Sequence, residues 1–160
     1  MAQIRLTMNE LLMAAIVGLN RRMKSMRKST VTDAYTDNKF VPWYTDIEAA
    51  AAECALAKYL NIFWDGSEGT FKAPDLGDDI QVRCSSYAQA HLIVRDKDDG
   101  AHRYILLTGE GLNWDVRGWM FGYDAKKDTY FRQSESTNAA NSWWVPQSDL
   151  EDVDPQGLTS

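Results

Sequence analysis

Little in this chain invites a bilayer, a disulfide framework or a zinc site. No apolar run approaches the roughly 18 residues that cross a membrane, so no membrane partner is expected. Cysteine occurs only at Cys54 and Cys84, and histidine only at His91 and His102. Neither pair has ligand spacing. The cysteines sit within apolar patterns and read as reduced core thiols, and the histidines flank predicted strands and read as structural. Glu10 and Asn9 interrupt the apolar centre of the first 29 residues, and basic residues follow that centre where a signal peptide would place them before it. A cytoplasmic location is the resulting expectation. Disorder is excluded by what is present, since 44% of the residues are hydrophobic and six of the 160 are tryptophan. That composition and length predict one domain with a substantial core.

Positive charge is scarce beyond residue 30. Arg5, Arg21, Arg22, Lys24, Arg27 and Lys28 face Glu10 alone in residues 1–30, giving +5 there and −11 on the rest of a chain whose net charge is −6. An acidic body repels nucleic acid unless metal ions or a local basic strip intervene. Tight, non-specific duplex binding is therefore disfavoured. A metal-dependent enzyme that meets phosphate only at its site is not.

Thr7 with Glu10 resembles a capping box. Behind it Met8, Leu11, Leu12, Ala15, Ile16, Leu19, Met23 and Met26 recur at three- and four-residue steps, predicting an amphipathic helix over residues 1–30 that ends near Lys28. It reads either as a core-packing helix with a solvated basic end or as a binding helix, and its apolar face allows self-association through residues 8–26. Residues 31–45, interrupted by Pro42, read as a linker. A second helix, capped by Thr45 or Asp46, is nearly all alanine and aliphatic residues, which marks it as interior. Glu53 is the single carboxylate between Ala49 and Ala57. A buried carboxylate is costly unless paired or metal-bound; alternatively Glu53 lies on a narrow exposed strip beside Lys58.

From Asn61 the period changes to two. "IFWDGSEGTFKA", "DIQVRCSSY", "AHLIVRD", "HRYILLTGEG" and "WDVRGWMFGYDAKK" read as strands or hairpin arms. The stretch from Asp128 to Asp152 reads as mostly loop, and residues 151–160 as a frayed tail. Two helices followed by strands make an α+β fold, helices packed on a mixed, mostly antiparallel sheet. "APDLGDDIQVRC" crowds Asp75, Asp78 and Asp79 against a strand whose Gln81 and Arg83, two residues apart, share a face.

Glu on a buried helix, then "APDLG", then "IQVRC" resembles the PD-(D/E)XK, or restriction-endonuclease-like, nuclease superfamily. The pattern from "HLIVRD" to "WWVPQSDL" resembles small proteins of that type carried by bacteriophages and prophages. The likeness spans residues 46–150 and leaves the first helix outside that core. It implies Mg²⁺ or Mn²⁺ held by Glu53 and Asp75 with help from Gln81, and Asp79 as an alternative or additional ligand. Arg83 would stand where the superfamily has lysine. Arginine stays protonated, so it would clamp phosphate rather than take a proton from water. Metal-bound water would then supply the nucleophile, in a transient, metal-dependent encounter with nucleic acid. Gln81 lacks the charge of the usual Glu, which weakens its pull on a hard cation. Two other expectations follow: a catalytically degenerate binding module on the same fold, or an acidic phage protein that docks on a host protein. Trp64, Trp114, Trp119, Trp143 and Trp144 are candidates for base stacking or for the core.

Overall fold

The computed structural model describes residues 2–27, 41–68, 73–133 and 141–158. A strand, β1 (Ala2–Arg5), precedes the first helix, α1 (Met8–Arg27). Sequence periodicity did not single β1 out, because four residues with one buried position carry almost no pattern. Thr7 and Glu10 close the expected box: the Thr7 N–H donates to Glu10 Oε2 at 2.6 Å, and the Glu10 N–H to Thr7 Oγ1 at 3.2 Å. Lys58 Nζ also reaches Glu10 Oε2, at 2.8 Å, tying this cap to the second helix.

That helix, α2, runs Val41–Leu60, five residues earlier than its capping signal at Asp46. Pro42 lies in its first turn, where a missing N–H leaves no broken bond; the predicted linker therefore yields residues 41–45 to the helix, and residues 31–40 lie outside the described residues. Asn61, at φ 54°, ends it. The Ile62 N–H donates to the Ala57 carbonyl at 3.0 Å and the Asn61 N–H to that of Lys58 at 3.3 Å, the doubled closure of a left-handed helix terminus. Ala50 to Ala57 are all buried, Glu53 among them.

Six further strands complete the main architecture: β2 (Ile80–Ser85), β3 (Leu92–Arg95), β4 (Arg103–Glu110), β5 (Asn113–Phe121) and, after the short helix α3 (Gly122–Ala125), the two-residue β6 (Phe131–Arg132) and β7 (Ser142–Val145). Four form a mixed sheet in the order β1-β5-β4-β2, with only β2 and β4 parallel; the others form a second, antiparallel sheet ordered β3-β7-β6. The fold is α+β. The β2-to-β4 crossover passes through β3, which leaves the first sheet and pairs with β7. Strands over Ser142–Val145 replace part of the predicted loop. Residues 62–68 form no strand, and residues 69–72 and 134–140 lie outside the described residues. The tail instead folds into α4 (Pro155–Leu158), whose Leu158 is buried.

The layers run α1, α2, large sheet, small sheet. Alanines of α2 pack with Leu56, Ile80, Val82, Ile105, Leu107 and Trp114. Across the large sheet, Tyr104 and Leu106 pack with Leu92, Val94, Ala125 and Val145. The faces of α1 differ from the sequence expectation. Its buried residues are Ala14, Gly18 and Arg22, while Met8, Leu12, Ile16, Leu19, Met23 and Met26 are exposed. Small residues win the inner face because the helices approach closely: a Cβ on Gly18 would lie 2.6 Å from the Ile47 Cα.

Candidate functional site

Glu53 is buried, and its partner comes from α1. Arg21 Nη1 donates to Glu53 Oε1 at 2.6 Å and Nη2 to Oε2 at 2.8 Å, a two-pronged pair of the geometry that favours arginine. Trp64 Nε1 adds a bond to Oε2 at 3.2 Å. The other side of the guanidinium donates to the Ser67 carbonyl from Nε at 3.1 Å and Nη2 at 2.8 Å. Every polar atom of the pair is satisfied, as burial of two charges requires.

Asp75 lies in the turn before β2, against the open edge of the large sheet. Its N–H donates to the Ile80 carbonyl at 2.9 Å. Its Oδ2 accepts the Val82 N–H at 2.7 Å, an edge N–H that no strand among the described residues pairs. Burial, followed by the negative charge of Glu53, pushes its pKa up to about 6, against the pull of the Val82 N–H, Arg83 and Arg21. Asp75 thus feels groups on both faces of β2.

Alternation and register separate the remaining candidates. Ile80 and Val82 face α2, whereas Gln81 pairs with Tyr104 and Arg83 with Leu106, on the face toward the small sheet. Gln81 Nε2 donates to the Ala73 carbonyl at 3.4 Å and meets His102 Nδ1 at 3.3 Å. Arg83 Nη2 donates to Asp98 Oδ2 at 2.9 Å, with the guanidinium 5.0 Å over the Tyr104 ring. Asp79 receives two bonds from Arg103, at 2.8 and 2.6 Å. Gln81 and Arg83 do share a face, but it is the face opposite the Glu53 helix. The fold brings Glu53, Asp75 and Arg21 into one electrostatic neighbourhood, reaches Arg83 through Asp75, and turns Asp79 and Gln81 elsewhere.

This donor set does not fit Mg²⁺ or Mn²⁺ as arranged. A hard cation needs several charged oxygens converging with free lone pairs. Glu53 gives both oxygens to Arg21, Asp79 gives both to Arg103, and Asp75 gives one to the Val82 N–H. Among the described residues, no three acidic, histidine or cysteine side chains converge. Burial likewise pushes Cys54 to about 11 and Cys84 to about 12, so both thiols stay protonated and neither is an activated nucleophile.

Beside β2 lies a groove of about 1090 Å³. Its ionisable walls are Arg83, Arg95, His91, Tyr87 and Cys84, with no carboxylate among its lining residues, and Trp144 lies at its side. The His91 ring is 6.1 Å from Trp144, whose other neighbour, Arg132, stands 4.5 Å from the ring centroid. Four of the other tryptophans have structural contacts: Trp64 on Glu53, Trp114 on the Gly111 carbonyl at 3.0 Å, Trp119 edge-on to Phe121, Trp143 beside Phe131. Arg21 escaped sequence reasoning, although a buried Glu53 demands a cation and the steps Ala14, Gly18, Arg21, Ser25 mark one side of α1. The groove was illegible in sequence, since four separate segments build it. No protein-family model matches the chain, and no curated protein or solved structure does either.

Proposed function

We propose that the protein is a non-catalytic binding module that takes a single-stranded nucleic-acid segment in the groove beside β2. One observation carries the reading. In a chain of net charge −6, the groove lining carries Arg83, Arg95 and His91 and no carboxylate, although Arg83 also holds Asp98 at 2.9 Å. Cations interleaved with planar side chains suit a strand whose phosphates meet guanidinium groups and whose bases stack on rings. Trp144 and Tyr87 supply the rings. The −11 carried beyond residue 30 disfavours phosphate contacts on that part of the chain outside the groove. Anisotropy of a fluorescent oligothymidylate at low salt tests this. Saturable binding, weakened by increasing salt and by Arg83→Ala with Arg95→Ala, is expected. The proposal fails if no signal develops by about 100 µM protein, the weak end of non-specific binding, or if the double variant binds equally well.

Metal-dependent phosphodiester hydrolysis is the second reading, favoured by the electrostatic coupling of Asp75 to Glu53. It requires Arg21 to release Glu53. Incubation with Mn²⁺ and single- or double-stranded substrates separates the two readings. Cleavage that disappears in a Glu53→Ala, Asp75→Ala double variant supports hydrolysis; its absence in the unmodified protein supports the binding module.

A further inference from the structure

The helix α1 has two apolar faces, and only one is covered among the described residues. Its inner face, Ala14 and Gly18 with Arg21 and Arg22, lies on α2. A second stripe, Met8, Leu12, Ile16, Leu19, Met23 and Met26, is between 39% and 69% exposed. From Leu12 its steps are four, three, four and three residues, the spacing of a helix-pairing seam. Half-bare side chains of this size leave roughly 600 Å² of apolar surface in one strip, the upper limit for the largest patch on a typical monomer. A standard interface takes roughly 800 Å² from each partner, so this strip with its polar margins is sufficient.

We propose that a second copy of this chain covers the stripe, with the two α1 helices packed antiparallel about a two-fold axis. Charge selects both the occupant and the direction. A lipid surface would need free cations flanking the stripe, yet three of the four cations of α1 are engaged: Arg21 is bound to Glu53, Lys24 Nζ lies 2.7 Å from Glu68 Oε2, and Arg22 Nη1 lies 3.8 Å from Asp46 Oδ2. Aligned peptide dipoles leave the start of α1 partly positive and its end partly negative. Antiparallel packing sets opposite ends side by side, whereas parallel packing would set like ends together, the exposed Arg27 of each copy included. The contact is self-complementary, and two-fold symmetry closes it at two copies.

Sedimentation velocity of the full chain between about 1 and 100 µM, the range of ordinary weak dimers, tests the proposal. A concentration-dependent dimer is expected. Ile16→Glu with Met23→Glu, at positions outside the core, should give a monomer with an unchanged circular-dichroism spectrum. Ile16→Cys, near the midpoint of the stripe, should cross-link to itself on oxidation, whereas Met26→Cys should not. A monomer throughout overturns the proposal, as does a dimer that survives the glutamate substitutions. Co-sedimentation of a monomer with phosphatidylglycerol vesicles would replace the second copy with a lipid surface. Efficient Met26→Cys self-cross-linking would overturn the antiparallel direction.

Discussion

At Asp75 the same atoms explain both a structural role and a pH response. Its carboxyl occupies an edge N–H of β2 that would otherwise invite another strand. Burial and Glu53 raise its pKa from 3.8 to about 6, so the folded state binds the proton more tightly than the unfolded chain. Stability from this group is complete below about pH 4 and is lost as pH rises to 6, by roughly 3 kcal/mol. Asp75→Asn keeps an oxygen for Val82 and removes the ionisation. Denaturant unfolding from pH 4 to 8 should show the variant gaining on the parent as pH rises, with the difference levelling above 6. Glu53→Gln leaves Arg21 without its counter-charge and should lower stability by about 3–5 kcal/mol. Arg21→Met with Glu53→Leu should recover at least half of that loss in the same titration, because uncharged packing replaces a pair that is costly to desolvate. The sequence announced Glu53 as a buried acid needing a partner. It did not announce which partner, because a metal and an arginine satisfy the same electrostatic demand and the arginine lies 32 residues away.

Elements were legible where a periodic pattern was long. The strands β2, β4 and β5 follow their alternation or apolar run, and α2 follows its alanine-rich composition. The exposed and buried faces of α1 were misassigned because both its sides repeat at helical spacing, and hydrophobicity favoured the larger residues. Packing favoured the smaller ones. Gly18 lies against the α2 backbone, with a hypothetical Cβ 2.6 Å from the Ile47 Cα and 2.7 Å from the Asp46 carbonyl oxygen. Gly18→Ala should therefore lower the denaturation midpoint by an amount worth about 1–3 kcal/mol, although alanine is intrinsically the better helix former by roughly 1 kcal/mol. A raised midpoint would show that α1 moves away without penalty. Alternation correctly grouped Gln81 with Arg83, but it carries no information on which face of the sheet a helix covers. That choice is made by the β2–β4 register.

Across the whole molecule, the chain's beginning is tied to its second half. Ala2–Arg5 pairs with residues Asn113–Val116 of β5, and the Leu6 N–H donates to the Leu112 carbonyl at 2.8 Å. Ile4 and Leu6 are buried in the principal core. Removing residues 1–6 should cost roughly 3–6 kcal/mol from those two side chains alone, a large part of an ordinary domain's 5–15 kcal/mol. A thermal melt of the truncated protein should show a marked fall in Tm. No local signal could reveal that a short N-terminal strand belongs to a sheet built much later in the chain. The same pairing sets a delay during synthesis. At about 5–20 residues per second, β5 leaves the ribosome roughly 5–20 s after β1. Throughout that interval the nascent α1 lacks its sheet anchor, and its oily side is available to any chaperone waiting at the exit tunnel.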